Sequence, residues 1–538
     1  MLAPDLKRDI DKLWDKFWSG GIANPLTAIE QIAYLIFMKR LEESDNAAAA
    51  EARKIKRKHT SIFEGPKDMR RWSNFSQLSK SEEMLTMVRD QVFPLIKDMG
   101  GDRMRDAVFV IPSPTMLQSA VQIIDQLFIP SRNADTLGDI YEYLLNEIQT
   151  AGKNGQFRTP RHVIRAIIQL VNPQFDGKRL PRLCDPACGT AGFLVNSYIH
   201  MMAANTSPDI LEIEADGTPQ RYAGDKLDKK SIDALRANSF YGFDFDRTMV
   251  RIGWMNMIQH GLTDPHIEYA DALSKKSEER LAVETYDIVF ANPPFTGNIE
   301  QSDKSDRFKI KTNKTELLFV ELILDLLVSG GRAGVIVPEG VLFGSTNAHR
   351  DLRRRLIQNN QLEAVVSLPA GVFQPYTGVK TAALIFTKGG HTDSVWFYEV
   401  RADGYSLDAR RTPRPEENDL WDLVKKYPTR DTTTDYHQPV FREEQRGNGE
   451  AYTVRLFDHL ELVQPKQGEP VPEPHAWTAT AVQIEENDWN LSAGRYKPVT
   501  LAQVEYGPPA VIIRDLQGLE GQIQTGLDRL LAMVENAE

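Results

Sequence analysis

Apolar residues recur every three to four positions through most of the first 150 residues, the spacing of amphipathic helices. Three segments show it clearly: 26–44, 81–96 and 137–149. No alternating apolar and polar run typical of a strand precedes position 107. The pattern therefore predicts an all-helical N-terminal domain over residues 1–150.

Short apolar runs rich in β-branched and aromatic residues begin at about position 179, and most are separated by helical patterns. Strands that alternate with helices are typical of a mostly parallel, doubly wound sheet. We therefore predict an α/β domain over residues 151–395, whose ligand binds beyond the carboxyl ends of the strands. The predicted strands are 179–185, 239–245, 266–270, 286–292, 332–338, 363–369 and 381–388, and the predicted helices are 191–203, 246–260, 315–329 and 346–359.

The last part of the chain changes character twice. Residues 396–480 are polar and weakly periodic, which predicts a peripheral polar region, and 481–538 is predicted to be a partner-binding helical tail. Three glycines in that tail each cost a helix about 1 kcal/mol relative to alanine, so we expect it to need a partner surface. The apolar positions are Ile512, Leu516, Leu519, Ile523, Leu527, Leu530 and Val534, and the glycines are Gly518, Gly521 and Gly526.

The net charge argues against a protein that binds nucleic acid without a partner. The net charge of −11, from 64 basic and 75 acidic residues, is the opposite of the usual basic excess of such proteins. DNA binding would therefore need a partner or a local patch. The clearest patch is the basic run at 53–58, which could equally be an exposed helix face.

Other bulk features narrow the class of protein. Of the 538 residues, 41% are hydrophobic and 26% charged, as is ordinary for globular proteins. The N-terminus lacks the apolar core of a signal peptide, and no apolar run is long enough to span a membrane. Cys184 and Cys188, the two cysteines, provide neither a disulfide framework nor a four-cysteine zinc site. We expect a cytoplasmic protein.

A glycine-containing turn follows the first predicted strand. The sequence DPACGTAGFL (185–194) leads into a helix, and Gly189 and Gly192 permit a close approach of backbone and ligand. The dinucleotide fingerprint G-x-G-x-x-G is absent, which disfavours a pyrophosphate cofactor. Asp185 opens the turn, and a carboxylate there suits a positively charged group, such as the ammonium of a sulfonium cofactor.

Acidic residues also end the next two predicted strands. Asp244, with Asp246 as its alternative, could accept hydrogen bonds from both hydroxyls of a ribose. Asp271 could meet an adenine amino group, although a lone aspartate after a strand is also a common cap or turn residue.

The fourth strand of the series ends in ANPPF (291–295). Neither Pro293 nor Pro294 can donate a backbone hydrogen bond, and each fixes its own φ. In isolation this motif could be a simple loop. It is, however, the fourth consecutive strand end to present a polar side chain to one edge of the sheet, and that succession favours a ligand site.

DPACGTAGFL followed about a hundred residues later by NPPF resembles the S-adenosylmethionine-dependent methyltransferases that modify adenine N6 in DNA. GQFRTPRHVI (155–164) resembles the segment that in this family covers the methionine part of the cofactor. Within the family, the chain is most similar to the modification subunit of type I restriction-modification systems. That similarity extends through the helical region and segments 330–344, 368–386 and 487–496. One departure is Ala191, where many relatives have glycine.

The resemblance implies a Rossmann-like methyltransferase sheet, S-adenosylmethionine as cofactor, and an adenine flipped out of the duplex. Asn292 and the Pro293 carbonyl would accept hydrogen bonds from the N6 amino group, Pro294 would keep the turn rigid, and Phe295 would stack on the base. Neither a metal nor a cysteine nucleophile is needed, and Cys188 is interpreted as a packing residue. The implied cofactor-binding residues are Phe157, Thr159, Pro160, Asp185, Gly189, Thr190, Gly192, Asp244 and Asp271.

The same resemblance implies partners. They are double-stranded DNA, a specificity subunit that selects the sequence, a second copy of this chain, and a restriction subunit that is an ATP-dependent translocase and nuclease. Such a complex serves in phage defence. The specificity subunit would dock through the C-terminal helix and, with it, the N-terminal helices.

Four alternatives stay open. A self-sufficient adenine methyltransferase would use 396–480 as its own recognition module. A protein-glutamine methyltransferase would apply the same chemistry to a planar amide nitrogen, although the helical domain argues against it. Cytosine N4 methylation is chemically possible, but such enzymes usually carry serine in place of Asn292. An inactive assembly scaffold would fail to bind S-adenosylmethionine.

Overall fold

The computed structural model describes residues 4–22, 24–54, 58–127, 159–214, 217–445, 451–463, 473–498 and 509–535. Up to residue 127 the described chain is helical, apart from connecting loops, a π-helical turn at Val88–Val92 and a 3-10 turn at Gly101–Met104. The predicted helix 137–149 lies outside the described residues. The helices are α1 (Pro4–Ser19), α2 (Pro25–Lys54), α3 (Trp72–Phe75), α4 (Ser81–Met87), α5 (Phe93–Gly100) and α6 (Pro114–Leu127).

These helices share one hydrophobic core with the α/β region that follows. Phe37 of α2 packs on Trp254, with ring centroids 5.3 Å apart. Glu30, also on α2, is buried against Arg251 and accepts a hydrogen bond from its guanidinium. Removing either partner of a buried ion pair leaves an uncompensated charge, so this pair helps to hold the helical domain on the α/β region.

A nine-stranded sheet forms the centre of the described α/β region, in the order β5-β4-β1-β6-β7-β9-β8-β10-β15. The β9 strand runs antiparallel between β7 and β8, and β15 runs antiparallel at the edge; the other pairings are parallel. The strands are β1 (Leu183–Asp185), β2 (Glu212–Ile213), β3 (Pro219–Arg221), β4 (Phe240–Asp244), β5 (His266–Tyr269), β6 (Tyr286–Ala291), β7 (Leu327–Pro338), β8 (Asn360–Leu368), β9 (Thr381–Lys388), β10 (Ser394–Glu399), β11 (Asp403–Tyr405), β12 (Pro413–Asn418), β13 (His437–Gln445), β14 (Ala451–Leu462) and β15 (Ala476–Thr480).

The chain winds outward from β1 in both directions. Leu183 of β1 pairs with Phe240 of β4 on one side and with Ile288 of β6 on the other. The strand order therefore reverses at β1, and helices cover both faces of the sheet, which confirms the predicted doubly wound α/β fold with its N-terminal helical domain. The helices are α7 (Arg161–Val171), α8 (Gly192–Ala204), α9 (Lys229–Asn238), α10 (Arg247–Gln259), α11 (Thr315–Leu326), α12 (Gly340–Phe343), α13 (Asn347–Gln358), α14 (Leu420–Lys426) and α15 (Ala481–Glu486).

The region 396–480 differs from the expected peripheral region at both of its ends. Strands β10 and β15 extend the central sheet, with Trp396 paired to Ala364 of β8 and to Thr478 of β15. Trp396 and Trp477 are buried. Between these strands the region does lie outside the main sheet. There β11 pairs with β12 and β13 pairs with β14 in two small sheets, and α14 lies between them in the sequence.

Residues 498–538 form a compact unit of their own, which begins later than the predicted tail of 481–538 because 481–497 belong to the first unit. The described residues of this unit include one long helix, α16 (Pro509–Glu535), as the sequence pattern predicts. In the described part of the chain, no helix is both long and apolar enough to cross a membrane. The large apolar side chains of α16 that are exposed to solvent are Ile513, Leu516, Leu519, Ile523, Leu527, Leu530, Leu531, Met533 and Val534.

Candidate active site

A cavity of about 440 Å³ opens at the carboxyl ends of the central strands, on both sides of the point where the strand order reverses. Four side chains predicted from strand ends line it together: Asp185 as the last residue of β1, Asp244 as the last residue of β4, Asp271 after β5 and Asn292 after β6. This is the place where open α/β sheets bind their ligands. The remaining predicted residues on its wall are Thr159, Gly189, Thr190, Gly192, Pro293 and Pro294.

Backbone hydrogen bonds hold the glycine turn between β1 and α8. The Ala187 amide donates to Asp185 Oδ1 over 3.0 Å, and the Gly189 amide donates to Asp244 Oδ2 over 2.8 Å. Gly189 adopts a φ of +50°, and Ala191 a φ of +62°. A methyl-bearing residue rarely adopts this left-handed conformation, which gives a physical reason for the glycine common at the position of Ala191.

The two aspartates at the end of β4 have separate roles. Asp244 accepts from the backbone amides of Gly189 and Asp246, one on each oxygen, and each oxygen keeps a second lone pair. Asp246 caps α10, because its Oδ1 accepts from the amides of Thr248 and Met249. The alternative assignment of Asp246 to a ribose is therefore disfavoured.

Asp271, after β5, is exposed on the cavity wall. Its Oδ1 accepts from the Leu273 amide over 3.1 Å, which forms a local turn. That hydrogen bond restricts the orientation of the exposed carboxylate, and its contact with an amino group stays a prediction.

Burial sets the protonation of the two inner carboxyls. Burial in the cavity wall raises the pKa of Asp185 to about 8, and the nearby Asp244 carboxylate adds to this rise. Burial likewise raises the pKa of Asp244 to about 6, against the lowering effect of its two backbone hydrogen bonds. Cys188 is buried in the same turn, and burial raises the pKa of its thiol well above the usual value, so it is no thiolate nucleophile.

The amide of Asn292 is the least satisfied polar group of the motif. Its Oδ1 and Nδ2 atoms are shielded from solvent, and neither has a hydrogen-bond partner among the described residues. A buried polar atom without a partner costs about 1–3 kcal/mol. Such a cost is typical of a binding group whose partner is a substrate, and Pro293 lies beside it without a backbone donor that could compete.

Phe295 is placed differently from the rest of NPPF. Its side chain is 3% exposed and does not line the cavity. The ring packs edge-on against Phe373, with centroids 5.3 Å apart. Tyr376, three residues beyond Phe373, does line the cavity.

The segment before α7 reaches the same wall. Thr159 is buried against the cavity, and Pro160 occupies the N-cap of α7. One turn into α7, Ile164 lies so close to Gly192 that a Cβ there would stand 3.0 Å from its Cδ1. Phe157 lies outside the described residues.

Three residues of the site carry no sequence signal of their own. Phe245, directly after Asp244, lines the cavity with its side chain 66% exposed. Gly253 lets α10 approach the glycine turn, since a Cβ there would lie 2.9 Å from the Gly189 carbonyl oxygen. Asn256 holds the turn by donating to the Thr190 carbonyl over 2.8 Å. Of these three residues, only Phe245 could have been identified from the sequence, because it directly follows the predicted binding residue Asp244.

The basic run is described in part. Arg53 and Lys58 are exposed, whereas Lys56 and Arg57 lie outside the described residues. Its contact with DNA stays a prediction. Across the described ranges, no group of three or more His, Cys, Asp or Glu side chains has the geometry of a metal site.

Comparison with protein-family models gives two matches. A model described as N-6 DNA Methylase matches residues 132–503, and one described as HsdM N-terminal domain matches residues 6–124. Among curated proteins, the methylase subunit of the type I restriction enzyme EcoEI from Escherichia coli is 28% identical over 480 residues, covering 84% of this chain and 88% of the relative. The methylase subunit of EcoKI, from strain K12 of the same species, is 28% identical over 439 residues, covering 77% and 74%.

Two solved structures resemble the fold of this chain over most of its length. A chain from a structural study of the assembly and conformational transition of the type I R-M system covers 99% of this chain and of its own length, with a TM-score of 0.65 and 25% identity. The type I methyltransferase subunit from Streptococcus thermophilus covers 92% of this chain and 99% of its own, with a TM-score of 0.62 and 18% identity. The second likeness concerns the fold alone.

Proposed function

The chain belongs to the N-6 DNA methylase family, and from this premise we propose how its cavity performs the reaction. It is an adenine-specific DNA methyltransferase that uses S-adenosylmethionine, and it acts as the modification subunit of a type I restriction-modification system. The proposals below concern the residues that carry out the reaction and the partners that direct it.

The unsatisfied amide of Asn292 carries the catalytic proposal. Its Oδ1 and the Pro293 carbonyl accept hydrogen bonds from the N6 amino group of adenine. That amine is a poor nucleophile because its lone pair is delocalised into the ring. Two acceptors draw its hydrogens out of the ring plane and aim the lone pair at the methyl group. Pro293 and Pro294 keep the acceptors rigid, so orientation supplies most of the rate enhancement.

The cofactor lies along the glycine turn. When bound, S-adenosylmethionine supplies an electrophilic methyl group on a sulfonium. Asp185 pairs with its ammonium, Asp244 uses its remaining lone pairs for the ribose hydroxyls, and Asp271 accepts from the adenine amino group. The exposed face of Phe245 stacks on the cofactor's adenine. Gly189, Thr190, Gly192, Thr159, Pro160 and Phe157 complete the cofactor site.

The target adenine reaches Asn292 by leaving the DNA stack, because the N6 group of a paired base is not accessible to a cavity. An aromatic face that stacks on the extruded base contributes about 1–3 kcal/mol. Phe295 can provide it only if its ring leaves Phe373. Tyr376 already lines the cavity, so we assign the stacking face to Tyr376 and the support of the motif to Phe295.

Sequence choice comes from a separate specificity subunit. The exposed apolar stripe of α16 supports this assignment, because a helix with this pattern is typical of one that packs against a partner. A second copy of this chain and a restriction subunit complete the complex, which works in the cytoplasm in defence against phage.

The test is methylation of DNA by the purified chain, with and without its specificity subunit, followed by mass analysis of the nucleosides. N6-methyladenine should appear at specific sites only with the partner. Site-specific methylation by the chain alone would favour the self-sufficient alternative, and methylated protein would favour a glutamine substrate.

Asn292→Ala should bind S-adenosylmethionine normally while transfer falls by about 10²–10³-fold, the usual loss when one hydrogen-bonding group of an active site is removed. Unchanged transfer by this variant would refute the proposed role of Asn292.

A further inference from the structure

A second residue with a buried, unpartnered polar atom lines the same cavity. Thr315 lies at the first position of α11, and its Oγ1 atom is shielded from solvent without a hydrogen-bond partner in the described ranges. Asn292 and Thr315 are the cavity-lining residues whose side-chain polar atoms share this condition.

A role in capping α11 does not account for the hydroxyl. The N-cap of α11 is Lys314, which makes no side-chain capping hydrogen bond, and Thr315 Oγ1 accepts none of the free amides of the first turn. If the side chain served only for packing, valine would be more favourable than threonine at this position, since burying a hydroxyl without a partner costs about 1–3 kcal/mol.

The surroundings place Thr315 next to the catalytic motif. The Thr315 amide donates to the Gly297 carbonyl over 3.1 Å, and the Ile299 amide donates to the Asn313 carbonyl over 3.0 Å. The loop that directly follows NPPF is therefore pinned to the start of α11. A Cβ on Gly297 would stand 2.8 Å from Thr315 Oγ1, so only glycine fits at this position without displacing the hydroxyl.

We propose that the Thr315 hydroxyl donates a hydrogen bond to a ring nitrogen of the flipped adenine that flanks its N6 group, either N1 or N7. Asn292 and Pro293 offer acceptors to the amino group, and each neighbouring ring nitrogen is an acceptor that needs a donor. Thr315 is the one hydroxyl on the described cavity wall that is both buried and unpartnered. Thr315 is thus a positioning residue that fixes the rotation of the base in its plane.

This inference depends on the proposed function, because it needs an extruded adenine in the cavity. The experiment uses the full chain with its specificity subunit and duplexes that carry adenine, 1-deazaadenine or 7-deazaadenine at the target position. Each analogue keeps the amino group and lacks one ring nitrogen.

For the wild type, we expect one analogue to lower kcat/KM by about tenfold and the other to have little effect. On adenine, kcat/KM of Thr315→Val should fall by about the same factor. On the sensitive analogue the variant should be no slower than the wild type, because the hydrogen bond is already absent there. Thr315→Ser, which keeps the hydroxyl, should restore the rate on adenine. Gly297→Ala should reproduce the valine variant, because the added Cβ would stand 2.8 Å from Thr315 Oγ1 and push the hydroxyl out of place.

Binding of S-adenosylmethionine separates a local effect from misfolding, and its Kd should match that of the wild type in all three variants. A wild-type rate for Thr315→Val, or losses from variant and analogue that simply multiply, would overturn the inference and leave the proposed function standing. A wild-type complex that binds S-adenosylmethionine and makes no N6-methyladenine would overturn both.

Discussion

The backbone amide of Gly189 donates to the Oδ2 atom of Asp244 over 2.8 Å, which ties the glycine turn to the end of the neighbouring strand. The other oxygen of Asp244 accepts from Asp246 over 2.8 Å. A side chain proposed to bind the cofactor therefore also builds the turn on which the cofactor lies. Binding and stability at this position are coupled.

Replacement of Asp244 by alanine should affect both properties. Two backbone amides lose their acceptor, at about 1–3 kcal/mol each, while the neighbouring Asp185 is relieved of a repulsive charge. We expect the free energy of unfolding to fall by about 2–4 kcal/mol and S-adenosylmethionine binding to weaken strongly. Denaturant unfolding and calorimetric titration measure the two effects.

The matched control is Asp246→Ala, which removes the N-cap of α10 two residues further along the chain. It should cost about 1 kcal/mol of stability and leave the affinity for S-adenosylmethionine unchanged. Equal losses of affinity in the two variants would contradict a specific role for Asp244.

The stacking assignment predicts opposite results for two aromatic residues. Tyr376→Ala should lower kcat/KM on paired DNA by about 10–100-fold, the worth of one stacked base, and Tyr376→Phe should keep the rate. Phe295→Ala should chiefly lower stability, by about 3–5 kcal/mol, because it opens a hole beside Phe373. If Phe295→Leu lost the rate with unchanged stability while Tyr376→Ala kept it, the ring of Phe295 would be the stacking face.

The strands of the central sheet could be predicted because each is a short apolar run bounded by turn residues. The predicted run 381–388 coincides with β9, and 286–292 differs from β6 by one residue. The cavity could be located too, since the carboxyl ends of parallel strands must meet at one edge. A short window of sequence shows the periodicity of its apolar residues, and the formation of these strands depends mainly on that periodicity.

The elements that escaped prediction depend on distant partners. Nothing near Trp396 specifies its pairing with Ala364 and Thr478, so the place of β10 in the central sheet does not follow from the local pattern. The buried position of Phe295 depends on its packing against Phe373. The need for glycine at position 253 depends on the nearby Gly189 carbonyl. Such contacts are set by tertiary packing, which no short window of sequence contains.

The apolar stripe of α16 predicts where the specificity subunit docks. Ile523→Asp combined with Leu527→Asp should abolish partner-dependent methylation, because two charges would be buried in the new interface. S-adenosylmethionine binding by the chain alone should be unchanged, and co-purification with the specificity subunit measures the loss directly. Gln524→Asp, a charge on a polar position of the same helix, is the matched control. Normal assembly by the double variant would place the interface elsewhere.

Cofactor affinity should depend on pH through Asp185. A carboxyl with a pKa of about 8 is neutral at lower pH, and only its ionised form pairs with an ammonium. From pH 6 to 8 the Kd for S-adenosylmethionine should therefore fall by about tenfold per pH unit, then level off as the ligand amine, with an ordinary pKa of about 7.7–8.0, loses its charge.

Titration in buffers of different ionisation enthalpy should show the release of about one proton per cofactor bound at pH 7, because binding forces Asp185 to ionise. Without the cofactor, stability should fall as the pH rises from about 4 to 8, since the folded state holds a proton that the unfolded state has lost. Asp185→Asn should bind weakly and with no pH dependence between pH 6 and 7.5. A flat wild-type profile over the same range would remove Asp185 as the partner of the ammonium.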